Sequence, residues 1–313
     1  QVLEATRAIF ARLLPNAFRR PVKEAEVQAI VRLVDQQLQM GATPADAIKT
    51  GLVAMLCSPD FLFLFEPLEE KQAPRKLTDH ELAARLSYFL WSSTPDEELR
   101  RAAGTGKLKS PEVLDAQVDR MLADAKVEGF VQGFARQWLK IDEISRFVPD
   151  EQIYPDYYAT DMVGIQTDVE AEPLAFFREV LHKDEPLVSF LDSNWLMLNQ
   201  RLAKLYNIPD VERAEQPRAP LRPTRRDHHP GLRRGAPVER GKYILTVLFN
   251  DPPPPPPPNA GEVEPNIRGE KLTVRERLAR HREQRTCNTC HRRIDPYGLA
   301  MENFNVIGQW RDR

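Results

Sequence analysis

The sequence has few cysteines, no long apolar run and almost no net charge. Three cysteines in 313 residues are too few for a disulfide-built secreted domain. Apolar stretches such as residues 61–65 are far short of the roughly 20 residues of a membrane span. A net charge of −2 gives no general attraction to nucleic acid or to an anionic membrane surface. No strand-like alternation of useful length occurs, and there is no serine nucleophile elbow or glycine-rich phosphate loop. The chain starts at Gln1 instead of Met and stops abruptly at Arg311-Asp312-Arg313. A mature chain or a fragment of a longer protein is expected, and the abrupt end favours the fragment.

What is present is a globular composition, 42% hydrophobic and 29% charged. The length suits two or three domains of roughly 100–200 residues each. Apolar residues recur at helical spacing almost throughout, as in Val27, Ile30, Val31, Val34 and Leu38. Thr43 and Pro44 mark a helix start, and Thr78 with Glu81 forms a capping-box pattern. A helix is expected over residues 161–182, another at 200–206 and another at 273–284. Residues 243–249 are a continuous apolar run that fits either a strand or a buried helix. The fold class is therefore mainly α. Cys57 reads as a buried core thiol, and Trp91, Trp138 and Trp195 as core residues.

Two segments stand apart. Residues 222–234 are dense in arginine and contain the pair His228-His229, read as an exposed loop. Residues 252–258 are seven consecutive prolines, a stiff polyproline II stretch, read as a spacer between the helical body and the tail. Asp79-His80-Glu81 reads as helix capping, and Asp142-Glu143 and Asp150-Glu151 as a solvated rim.

The tail carries the chemistry. Cys287, Cys290 and His291 form Cys-x-x-Cys-His. Two thiols on one helical turn can reach the two vinyl groups of a haem, and the adjacent imidazole can then face the iron. Three rivals exist. A thioredoxin-type redox pair wants a strand-then-helix context. A structural zinc site wants four ligands, and His281 is the only other ligand nearby. A plain disulfide at this spacing is strained. One covalent haem c is the favoured reading, with His291 as proximal iron ligand. For the distal position the candidates are Met301, ten residues downstream beyond a turn at residues 295–298, and His281 on the preceding helix. For each the plainer alternative is packing or surface exposure, and a continuation of the chain is the third source.

The segment from Cys287 to Asn305, with Ile307-Gly308-Gln309-Trp310-Arg311 and the proline run before it, resembles the haem-bearing module of the planctomycete-type cytochrome c domain proteins. Leu77-Thr78-Asp79-His80-Glu81-Leu82 through Ser87-Tyr88-Phe89-Leu90-Trp91-Ser92 looks like the opening of that family's central helical domain. Gln137-Trp138-Leu139 and Leu198-Asn199-Gln200-Arg201-Leu202-Ala203 look like its later parts. Ala17-Phe18-Arg19-Arg20-Pro21 and Ser58-Pro59-Asp60-Phe61-Leu62 look like a preceding small helical domain. Departures are the basic run at residues 222–234 in place of a Gly-rich segment, Met301 where Leu is usual, and Asn305 where Asp is common.

The resemblance implies a small helical domain at 1–66, a central helical domain at 77–220, a basic loop and polyproline linker at 221–258, and a truncated cytochrome-c-like haem module at 259–313. It implies a periplasmic or secreted c-type haem protein in electron transfer, a carrier or the electron-entry module of a larger oxidoreductase. Its partners would be a redox protein or other domains of the parent chain, with no nucleic acid and no membrane span. A stand-alone catalyst such as a haem peroxidase is a weaker reading. The alternative from another class is a non-redox scaffold with a structural zinc or disulfide Cys-x-x-Cys-His.

Overall fold

A computed structural model describes residues 1–64, 66, 75–144, 149–158, 162–208, 218–220, 237–256, 272–305 and 307–310. The fold is mainly α, as the helical spacing requires. The described chain divides into two compact units, Gln1–Phe130 and Val131–Arg313. None of the described helices is long and apolar enough to cross a membrane.

The first unit opens with helices Val2–Phe18, Glu24–Gln39 and Pro44–Leu56 around a core of Phe10, Leu14, Val27 and Met55. Phe10 is fully buried because Gly51 leaves room for it; a β-carbon on Gly51 would sit 2.8 Å from the ring. Thr43 accepts a hydrogen bond from the Asp46 amide at 3.2 Å, and Pro44 takes the first helical position. The buried stripe of that helix is Ala47, Gly51 and Met55, spaced by four. Cys57 comes two residues after Met55, off that stripe, and is exposed. The expectation of a buried thiol is corrected on that ground.

Arg19 is buried in the left-handed conformation at φ 56°. Its guanidinium donates to the carbonyls of Asp60, Phe61 and Phe63 and to the Tyr88 hydroxyl, tying the first three helices to the helix Asp79–Trp91. The capping box forms there as the sequence predicts. The Thr78 hydroxyl accepts from the Glu81 amide at 3.2 Å, and the Glu81 carboxylate accepts from the Thr78 amide at 2.7 Å. Asp79 accepts from the Leu108 amide, so this acidic cluster serves caps and turns. Trp91 is buried and donates to the Met121 carbonyl.

In the second unit the long helix Met162–Lys183 presents Phe176, which stacks on Trp195 with ring centres 4.3 Å apart. Trp195 and Phe176 are buried, while Trp138 is half-buried. Trp195–Met197 pairs antiparallel with Arg218–Pro220, Trp195 opposite Pro220. Three-residue strands are too short to show alternation, and some twenty residues of chain separate the partners. Asn199 caps the helix Gln200–Leu205 by accepting from the Leu202 amide.

The ambiguous apolar run is helical. Helix Pro237–Tyr243 continues into a wider π-type turn, Ile244–Leu248. Trp138 donates to the Val247 carbonyl and Tyr243 to the Leu139 carbonyl, each at 2.9 Å. The prolines begin after Asp251, and those at 252–256 are described. The expected spacer does not keep two bodies apart. Helix Pro237–Tyr243 before the run lies directly on helix Arg285–Leu299 after it, inside one unit. The basic run at 222–234, with His228 and His229, and the last two prolines lie outside the described residues.

Candidate haem-binding site

The motif occupies the first two turns of helix Arg285–Leu299. At about 100° per residue, Cys287 and Cys290 lie about 60° apart around the axis and His291 about 40° from Cys287, so all three share one face. Both cysteines are free and half-buried. No side chain caps the helix start; Gln284 turns its carbonyl oxygen to the Cys287 thiol instead, at 3.4 Å.

His291 is fixed by the next turn. Its Nδ1 is 2.9 Å from Asp295 Oδ1, four residues on. An ionised carboxylate can only accept, so Nδ1 donates to Asp295 and Nε2 is the ring nitrogen not engaged by it. Asp295 is fully buried. Its other oxygen, Oδ2, is 3.6 Å from Arg282 Nε and has no hydrogen-bond partner among the described residues.

His281 ends the helix Val274–His281, and the bend at residues 282–284 returns its ring to His291. The ring centres are 4.8 Å apart, edge to face. Burial, helped by the neighbouring His291, holds His281 below the ordinary imidazole value, while Asp295 pulls the other way. Here His281 is a side-by-side neighbour of His291.

The expected turn at residues 295–298 is helix instead. Pro296 sits inside the helix, which continues to Leu299. Ten residues of nearly continuous helix carry Met301 about 15 Å along the axis from His291. Met301 is buried, and its backbone carbonyl accepts from Arg240 Nη1 at 2.6 Å. The site thus brings together Cys287, Cys290, His291 and His281, and leaves Met301 in the packing beyond the helix end.

The helix is held from behind at very close range. A β-carbon on Gly298 would fall 1.7 Å from the Pro237 carbonyl oxygen, and one on Gly241 2.1 Å from that of Ile294. Arg240, itself buried, also donates to the Asn305 carbonyl at 2.9 Å. The Asn305 side chain then accepts from the amides of Ile307 and Gln309, closing the final loop. Arg293 pairs with Asp251 at the head of the proline run, and Tyr297 meets Phe249 edge-on. The sequence assigns Asp295 and Gly298 only to a turn and gives Arg240 no role at the site. For Asp295 the available signal was its spacing, four after His291 on one helix.

The donor set fits a covalent haem: two free thiols reachable from solvent, on the same helix face as an imidazole whose inner nitrogen is already engaged. Among the described residues as they stand, no group of three or more His, Cys, Asp or Glu side chains is placed to hold a metal ion.

Three family models cover most of the chain. PSD5, a protein of unknown function (DUF1595), matches residues 5–66; PSD4, likewise of unknown function (DUF1592), matches 77–208. PSCyt3, of unknown function too (DUF1588), matches 226–313 and so includes the Cys-x-x-Cys-His helix. No curated protein and no solved structure matches the chain. With all three models falling in order along it, the chain belongs to the planctomycete-type cytochrome c domain proteins.

Proposed function

We propose that this chain holds one covalent haem c through Cys287 and Cys290, with His291 as proximal axial ligand, and that it works in periplasmic electron transfer. It would act as a carrier or as the electron-entry module of a larger oxidoreductase, exchanging electrons with a redox protein or with other domains of its parent chain. The observation that supports this reading best is the state of His291. One ring nitrogen is taken up by the buried Asp295, which leaves Nε2 as the nitrogen available to a metal, on the helix face that carries both thiols. When bound, the haem supplies a one-electron couple.

The remaining work falls to the chain's own residues. The helix fixes the spacing of the two thiols and the imidazole. Gly241 and Gly298 let the supporting helix approach it, and Arg240 holds the loop beyond its end. The name of the matching PSCyt3 model points in the same direction.

The test is expression with periplasmic export and c-type maturation, followed by a pyridine haemochrome spectrum and intact mass. One haem per chain that survives denaturation is expected. Cys287→Ala with Cys290→Ala should abolish it while leaving far-ultraviolet circular dichroism unchanged, because neither thiol is a core contact. A wild-type chain that matures without haem, but carries one equivalent of zinc, would replace this reading with the scaffold one.

A further inference from the structure

A fully buried carboxylate with one oxygen lacking a hydrogen bond is expensive, and folds retain such a group only where something compensates it. Asp295 is in that position. Oδ1 meets His291 Nδ1 at 2.9 Å, while Oδ2 has no hydrogen bond among the described residues and only a longer ion pair with Arg282 Nε at 3.6 Å. Two hydrogen-bonded partners would spread the charge of the carboxylate. Here the one short contact is to the imidazole.

The surroundings keep the pair rigid. His291 and Asp295 are four apart on one helix, so their side chains lie on the same face. The next residue, Pro296, has a fixed φ. Ile294, on the other side of Asp295, is in contact with Gly241 of the supporting helix. His281 closes the near side of the His291 ring. The imidazole therefore has little freedom to turn its other nitrogen inward.

We infer that Asp295 is a positioning residue that holds His291 through Nδ1, turns its Nε2 toward the thiol-bearing face and makes the ring a stronger donor than a neutral acceptor would. This rests on the haem reading above and deepens it. A carboxylate behind a histidine ligand raises the ligand's basicity more than a neutral carbonyl does. A stronger donor favours the oxidised metal and lowers its reduction potential. The chain would then sit at the low-potential end of His-ligated haem proteins and give electrons readily to a partner.

The experiment uses the full chain in two states. In the haem-free chain, side-chain ¹⁵N spectra read the tautomer of His291. At a pH where the ring is neutral, a protonated Nδ1 with a bare Nε2 is expected, and the opposite tautomer overturns the inference. In the haem-loaded chain, Asp295→Asn should shift the midpoint potential upward with haem still covalently attached. Asp295→Glu, which keeps the charge, should restore part of the shift. A potential that is the same in all three chains also overturns it. If wild type attaches no haem, the functional reading fails and the tautomer arm still decides Asp295. Where Asp295→Asn does not fold, the tautomer and Asp295→Glu carry the decision.

Discussion

Gly298 lies so close to Pro237 that a β-carbon at Gly298 would fall 1.7 Å from the Pro237 carbonyl oxygen. No rotamer relieves such a clash, because both atoms belong to backbone. Gly298→Ala must therefore push helix Pro237–Tyr243 off helix Arg285–Leu299. A cost of about 3 kcal/mol or more is expected, or roughly 6–12 °C in melting temperature for a unit of this size. Gly104→Ala is the control, since nothing lies within 4 Å of its added carbon. Calorimetry of the two variants side by side decides it; equal melting temperatures would mean the helices do not cross there.

Arg240 carries the second support. Its planar fork places Nη1 on the Met301 carbonyl and Nη2 on the Asn305 carbonyl, all in the interior. Arg240→Met removes both donors and leaves buried acceptors without partners, at a cost of about 3–5 kcal/mol. Arg240→Lys offers a point charge in place of a fork and should recover only part of this. Hydrogen exchange over residues 301–309 reads the effect locally. Protection should fall most where Asn305 organises the loop, and unchanged exchange there would remove Arg240 from the account.

The local signals were legible where one short stretch contained the whole interaction. Thr78 and Glu81 are three apart and their reciprocal cap forms as written. Thr43 and Pro44 likewise start a helix. Cys287, Cys290 and His291 share a face because the helix repeat puts them there. What could not be read depends on partners distant in sequence. Tyr243, Ile244, Leu245 and Val247 are buried on more than one side of the run, with Tyr243 and Val247 bonded about a hundred residues back, so it showed no amphipathic period. Pro296 ordinarily ends a helix; here the segment remains helical across it while Gly298 packs on Pro237. The proline run read as a spacer because nothing in its composition reveals that the helices on either side touch.

Glu81 gives a pH dependence with a definite sign. The Arg75 guanidinium, assisted by the Thr78 amide and hydroxyl and opposed by burial, holds its carboxyl at about 2, against an ordinary value of 4.5. A lowered value means that the ionised form belongs to the folded state. Its contribution is complete above about pH 4.5 and fades as pH falls toward 2. Glu81→Gln should therefore cost roughly 1–2 kcal/mol at pH 7. Urea titrations at pH 7, 4.5 and 3 should show the difference between wild type and variant shrinking as pH falls. A difference that stays constant across that range would assign the loss to packing.

The position of Met301 bears on the distal ligand of the proposed haem. For Met301 to serve a bound haem, its thioether would have to leave its present packing. The helix that begins with the motif continues past Pro296 to Leu299, which sets Met301 about 15 Å along the axis. Its side chain is buried and its backbone is clamped by Arg240. Releasing it to the iron would mean unwinding the last helical turn, vacating a core position and breaking a buried hydrogen bond, each a cost of about 1 kcal/mol or more. Leucine fills nearly the same volume, so Met301→Leu should change stability by less than about 1.5 kcal/mol. The haem-loaded variant should keep the wild-type reduction potential and the wild-type ferric spectrum. A wild-type spectrum with the long-wavelength ferric band of methionine–iron coordination, lost in Met301→Leu together with a fall in potential, would show that haem binding rebuilds this end of the helix. With no such band, Met301 is core packing, and His281→Ala becomes the next variant. Its ring lies beside His291 at 4.8 Å, so its loss should alter the environment of the proximal imidazole without opening a coordination position.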